Sequence, residues 1–326
     1  MGRRILAIVL LLLALVLLIA APVLAFTPLG AHSLSRLGLI APTPTPIPRP
    51  TPPPPPQPII TVTKKPPAVG ARAVYVVDME TGNVLDDING EKPMPMASTT
   101  KIMTALIAIQ TADLDMPITV KQDAYNRVHL DGGSSAQLVV GDTLPLKDLL
   151  YALLLPSGDD AATAIADALG DGSSAKFVQR MNLFAYRLRL FQTHYANPDG
   201  LSLTPQEDAE HYTTAADLTR LARYAMSIPL FAQIVRTQKY HVSATARHHA
   251  YTWTNTNPLL GTYKGDIGIK TGFTFAAGYC LVFAATRANY HLIGVVLDSP
   301  TEEQRVKDVT ALLNWGFSLP LLPPAS

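Results

Sequence analysis

The sequence predicts an α/β chain of the α+β kind: one antiparallel sheet flanked by helices, with an all-helical subdomain beside it. Three observations predict it. A strand hairpin and an apolar helix come first, helical periodicity fills the middle, and three strands and a helix come last. The simplest closed arrangement pairs the early and late strands in one sheet, leaving a cleft against the helical middle.

Composition narrows the function. The chain has 326 residues, 48% of them hydrophobic and 16% charged, with a formal net charge of +1. That is an ordinary globular balance with room for one domain of catalytic size. It gives no electrostatic case for a nucleic-acid partner. A single cysteine rules out a disulfide framework, the histidines have no metal-ligand spacing, and no cofactor motif is present. Neither a metal nor a cofactor is expected.

The N-terminus is of another kind. Arg3-Arg4 precede an apolar run from Ile5 to Ala21 that continues past Pro22 to Phe26, long enough to cross a bilayer. The flanking arginines place this end in the cytoplasm and the rest outside, so residues 5–26 are expected to hold the protein in the cell membrane. Val23-Leu24-Ala25 has the form of a signal-peptidase site, but the run is longer than a signal-peptide core, which favours an uncleaved anchor over residues 1–26. Pro42 to Pro58 then holds 11 prolines in 17 residues. With residues 27–68 forming a linker, this tract is expected to be a polyproline II spacer of roughly 50 Å.

The catalytic-sized domain is expected over residues 69–318, with a short tail over 319–326. Ala73 to Asp78 and Val84 to Ile88 read as a hairpin around the turn Glu80 to Asn83. The run from Ser98 to about Ala112 reads as a buried helix, and residues 113–145 as short strands and turns. Helical periodicity from Leu146 to about Arg189 is interrupted at Pro156-Ser157-Gly158 and Gly170-Asp171-Gly172. A loop at Asn197 to Gly200 precedes a helix from Thr214 to Met226 with a threonine cap. Strands at 267–271, 279–284 and 291–297 form a meander, and a helix from Glu302 to Phe317 follows.

Ser98 and Lys101 lie three residues apart at the start of the first helix, so both side chains point into one space. A serine hydroxyl needs an adjacent base to become a nucleophile, and a buried lysine can be that base. A helix start also offers free N–H groups to a developing oxyanion. Ser-x-x-Lys alone is weak evidence, since Ser173 to Lys176 repeats it by chance. Ser157-Gly158-Asp159 in the helix break and Lys270-Thr271-Gly272 at the end of a strand fall where the cleft is expected.

In this order the three motifs resemble those of the penicillin-binding proteins and serine β-lactamases. Ala97 to Ala105, Leu154 to Ala162, Asn197 to Leu201, Gly268 to Thr274, Ala277-Gly278-Tyr279 and Trp315-Gly316-Phe317 narrow the resemblance to the low-molecular-mass serine D-alanyl-D-alanine carboxypeptidases. The resemblance implies a DD-peptidase/β-lactamase-like fold, a peptidoglycan stem peptide ending in D-Ala-D-Ala as substrate, and β-lactams as covalent inhibitors. Ser98 would attack the carbonyl between the two D-alanines and form an acyl-enzyme, with Lys101 as base. The implied oxyanion hole is the pair of N–H groups of Ser98 and Phe273. Ser157 would relay a proton to the leaving amine, while Lys270 and Thr271 hold the substrate carboxylate. Gly272 would leave room for the substrate, and Arg305 would add to the carboxylate site, its other reading being a solvated helix arginine.

One position departs from the family pattern. Asp159 stands where the family has asparagine, and an ionised aspartate cannot donate to a substrate carbonyl. It would also favour protonated Lys101, so Asp159 is protonated, orients Lys101, or slows the reaction. Two other functions stay open: a β-lactamase, which would need a deacylating base, and a non-catalytic wall-binding module of the same fold.

Overall fold

The computed structural model describes residue 14 and residues 58–323. All but residue 14 of the expected anchor, and most of the expected linker, lie outside them; among the described residues no helix is long and apolar enough to cross a membrane.

A five-stranded antiparallel sheet carries the fold, in the order β10-β11-β12-β2-β3. The hairpin β2 (Ala73–Asp78) and β3 (Val84–Ile88) supplies two strands; the meander β10 (Asp266–Thr274), β11 (Gly278–Arg287) and β12 (Tyr290–Ser299) supplies three. Strands from the two ends of the domain meet where Ala73 pairs with Leu297 and Val77 with Ile293. Side chains alternate across β2: Ala73 and Val77 join one core, Val74 and Val76 the other. The second core is closed by helix α9 (Glu302–Gly316) through Val309, Leu312 and Leu313.

The opposite face packs on the helical part. Helix α1 (Lys101–Thr111) follows a 3-10 turn over Ala97–Thr100, and every residue from Lys101 to Ala108 is buried. A helix apolar all round has nowhere to go but the interior. Around it lie α3 (Leu146–Leu154), α4 (Asp159–Leu169), α5 (Ser174–Arg187) and α7 (Ala215–Met226). Alanines make up much of α4, which lets its neighbours approach closely. The Thr214 side chain caps α7 by accepting from the Asp217 N–H at 3.0 Å.

Several expectations need correction. Residues 113–145 hold more than strands and turns: between β5 (Pro117–Thr119) and β6 (Thr143–Pro145) lies helix α2 (Gln122–His129). Only Ala124 of α2 is buried, so no apolar stripe announced it. Helices α6 (Pro205–Glu210) and α8 (Pro229–Val235) are further elements beyond those expected, and the turn to strands after Lys239 takes the form of a hairpin, β8 (Lys239–Val242) with β9 (Tyr251–Thr254), ahead of the meander. Strand β1 (Ile59–Ile60) pairs with β13 (Leu321–Leu322), joining residues from both sides of the expected limits.

Candidate active site

The nucleophile turn is held by its own threonines. Thr99 Oγ1 donates to the Met96 carbonyl at 2.6 Å, and Thr100 Oγ1 donates to the Ala97 carbonyl at 2.7 Å. Ala97 sits at φ +46°, in the left-handed region that costs a side-chain-bearing residue energy. His211 braces the turn from outside. Because the Thr100 hydroxyl proton is committed to Ala97, His211 Nε2–H donates to Thr100 Oγ1 at 2.7 Å, and His211 Nδ1 accepts from the Ala196 N–H at 3.0 Å. Burial pushes this imidazole down to about 4, so it is neutral in these bonds.

Lys101 is fully buried, and its Nζ donates to Ser98 Oγ at 2.8 Å and to the Asp199 carbonyl at 2.8 Å. Its third neighbour is the Asp159 carboxylate, with Oδ1 at 2.5 Å. Asp159 Oδ2 accepts from the Ser134 N–H at 2.9 Å. Burial pushes the Asp159 carboxyl above the usual range, against the pull of the Lys101 ammonium, and the Asp199 charge adds to the rise. Of the roles open to Asp159, orienting Lys101 has direct geometry behind it.

The loop Asn197–Gly200 is built to deliver one carbonyl. Arg127, on α2, grips the Asp199 carboxylate through Nε at 2.7 Å and Nη2 at 2.8 Å, and also donates to the Leu201 carbonyl. Asn197 Oδ1 accepts from the Gly200 N–H at 2.6 Å, and Thr104 Oγ1 donates to the Pro198 carbonyl at 2.6 Å. Gly200 has φ +92°, and a Cβ there would lie 1.9 Å from the Ala97 carbonyl oxygen. Only glycine fits.

The sheet contributes its edge. Lys270, Thr271 and Gly272 lie inside β10 rather than at its end, and β10 is the outermost strand beside the nucleophile turn. A Cβ on Gly272 would come within 3.2 Å of the Ser98 nitrogen and the Met96 oxygen, so this glycine leaves room for the nucleophile turn as well. Lys270 is buried, donates to the Thr271 carbonyl at 2.9 Å, and has its amine pushed well below the usual lysine range. Burial is the main cause, followed by the Lys101 cation, with Arg305 adding to it and Asp159 opposing.

Ser98, Ser157, Thr271, Gly272, Phe273 and Arg305 line one cleft of about 310 Å³. Ser157 stands at φ +69° just before α4, and Phe273 is 44% exposed at the rim. Arg305 is not a solvated helix residue: it is 3% exposed, and its Nη2 donates to Glu302 Oε1 at 2.7 Å. Lys101, Asp159 and Lys270 form the buried layer behind the cleft wall. Cys280 is buried in the core and lies outside the chemistry.

Sequence reasoning missed four parts of this site. Thr256 brings its hydroxyl to 2.7 Å from that of Thr271 and lines the cleft with Ser134. His211 and the Arg127–Asp199 pair support the machinery from behind. Asn197 to Leu201 stood out only as part of a resemblance, and Arg127 needed its helix to be seen first.

Comparison with known proteins follows the same lines. The sequence profile of peptidase family S11, D-alanyl-D-alanine carboxypeptidase, matches residues 60–301. The chain is 38% identical over 269 residues to the D-alanyl-D-alanine carboxypeptidase of Streptomyces sp. (strain K15), covering 79% of this chain and 90% of that one. It is 30% identical over 249 residues to the D-alanyl-D-alanine carboxypeptidase DacF of Bacillus subtilis (strain 168), covering 76% of this chain and 62% of DacF. Among solved structures, the Streptomyces K15 DD-transpeptidase superposes with a TM-score of 0.73 at 38% identity, over 78% of this chain and 100% of that one.

Proposed function

From the premise that the chain belongs to peptidase family S11, the D-alanyl-D-alanine carboxypeptidases, we propose that Ser98 is its nucleophile and Lys101 its base. The chain is a serine D-Ala-D-Ala carboxypeptidase, acting on the termini of peptidoglycan stem peptides. The observation that carries the residue assignment is the 2.8 Å contact between Ser98 Oγ and Lys101 Nζ, opening into a cleft shared with Ser157, Thr271 and Arg305.

Lys101 takes the Ser98 proton as Oγ adds to the carbonyl of the penultimate D-alanine. The N–H groups of Ser98 and Phe273 receive the oxyanion. Ser157 passes a proton to the leaving amine, D-alanine departs, and water later cleaves the ester on Ser98. Thr271 and Arg305 line the end of the cleft that receives the substrate carboxylate, with Lys270 buried behind it. The same cleft accepts β-lactams, whose ring carbonyl and carboxylate present the same two features. Release of free D-alanine from a peptide ending in D-Ala-D-Ala, stopped by benzylpenicillin, tests this reading; turnover that ignores the drug would sink it.

The Asp159 carboxylate lies 2.5 Å from Lys101 Nζ. An amide there can donate to a substrate carbonyl where an ionised carboxylate cannot, so Asp159→Asn is expected to leave acylation by penicillin unchanged or raise it about two- to tenfold. The amide still offers an oxygen to the Ser134 N–H, which limits the structural cost. A rate that falls tenfold or more would mean that the carboxylate itself is required.

Residues 5–26 form the proposed membrane anchor, with the peptidase domain outside the cell; the arginine-flanked apolar run supports this. Chain lacking residues 1–26 is expected in the soluble fraction, active. Its retention in membranes would point to another anchor.

A further inference from the structure

Arg305 is engaged by the protein in a way that bears on the carboxylate it is proposed to bind. Its guanidinium is buried, yet only one of its three nitrogens has a short partner. Nη2 donates to Glu302 Oε1 at 2.7 Å, Nη1 reaches the Cys280 carbonyl only at 3.4 Å, and Nε has no partner. Nε and Nη2 make up one edge of the guanidinium fork, the edge that a carboxylate grips with two parallel hydrogen bonds. Glu302 takes half of that edge with one oxygen and leaves the other half unmatched.

The two partners are unlike in freedom. Arg305 has 3% of its side chain exposed, whereas Glu302, the first residue of α9, has 57% exposed and lines the same cleft as Ser98 and Thr271. A side chain that exposed can turn into solvent; Arg305 cannot follow it. Half-exposed ion pairs are weak, so a ligand offering both carboxylate oxygens can displace Glu302.

We infer that Glu302 is a specificity-determining residue: it competes with the carboxylate of the substrate for the Nε/Nη2 edge of Arg305 and so sets how strongly carboxylate-bearing ligands are taken up. The inference rests on the reading of this cleft as an acylating DD-peptidase site. Its physical content is a displacement. In the free enzyme Glu302 neutralises Arg305, and in the complex the substrate carboxylate does so with better geometry. Ligands without the carboxylate gain nothing from driving Glu302 away.

The test uses the full chain and two covalent probes, benzylpenicillin and its methyl ester, with the second-order rate of acylation as readout. Glu302→Gln and Glu302→Ala are expected to accelerate acylation by the acid about two- to fivefold, the range set by removal of one partly exposed charge pair, and to leave the ester rate where it was. In an Arg305→Ala background the same changes should have no effect, because the contested edge is gone. Slower reaction of the acid in both variants would overturn the inference and make Glu302 a residue that positions Arg305. Equal acceleration of acid and ester would also overturn it. A wild-type chain that takes no label from either probe would instead remove the Ser98 reading, and this inference with it.

Discussion

Ser98→Ala should abolish covalent labelling by a fluorescent penicillin and lower D-alanine release by about four orders of magnitude or more, while the melting temperature stays close to wild type. The reason lies in what the hydroxyl touches. Ser98 Oγ meets Lys101 Nζ at 2.8 Å, and Lys101 keeps Asp159 and the Asp199 carbonyl when that contact goes. The loss is chemical rather than structural. Lys101→Ala gives a useful contrast: labelling again disappears although the nucleophile is present, but the Asp159 carboxylate is left buried without its cation. Stability should then fall by about 3–5 kcal/mol, the cost of breaking a buried pair from one side. Label that persists in Ser98→Ala at the wild-type rate would move the nucleophile elsewhere, Ser157 being another hydroxyl in the cleft.

Arg127→Ala should be nearly as severe by another route. Its guanidinium holds Asp199, a carboxylate with 1% of its side chain exposed, through two short hydrogen bonds. Without Arg127 that charge is stranded, at an expected cost of about 3–5 kcal/mol, read as a lower urea midpoint. Activity should fall with it, since the Asp199 carbonyl that receives Lys101 Nζ rides on the same loop. Arg127→Lys keeps the charge but not the fork, and should recover only part of both losses. Arg127→Ala combined with Asp199→Asn should recover stability, because no unpaired charge is then left behind. An Arg127→Ala protein with an unchanged urea midpoint would show that the loop does not depend on this clamp.

The fold and the site were legible to different degrees, for physical reasons. The strands β2, β3, β10, β11 and β12 could be read because each has a run of β-forming residues ended by a turn. Helix α1 could be read because it is apolar all round. Helix α2 could not, since it lies on the surface and buries a single alanine. Helix α6 buries nothing, yet a signal was there: Thr204 caps it by accepting from the Glu207 N–H at 3.2 Å, and threonine with glutamate three residues on is a helix-start pattern. The pairing of β1 with β13 rests on two residues a side and carries no pattern at all.

Within the site, Ser98 and Lys101 were legible because one helical turn brings them together, whatever the rest of the chain does. Lys270, Thr271 and Gly272 were legible as a run on one strand. Asp199 and Thr256 were not. One contributes a backbone carbonyl to Lys101, a group that every residue owns, and the other a hydroxyl to Thr271 from outside that strand. No spacing encodes either contribution.

The pairing of β2 with β12 also has a bearing on how the molecule comes into being. Ala73 and Leu297 are neighbours in the sheet yet roughly 220 residues apart along the chain, a loop closure of high entropic cost that places the fold among slow, non-local topologies. Ser98, Ser157 and Thr271 all come from inside that loop, Thr271 from the late strand β10. During synthesis, therefore, the nucleophile and its base can be in place on a folded helix while the wall that receives the substrate carboxylate has not yet been made. Acylating competence is therefore expected only once β10 and β12 have joined the sheet.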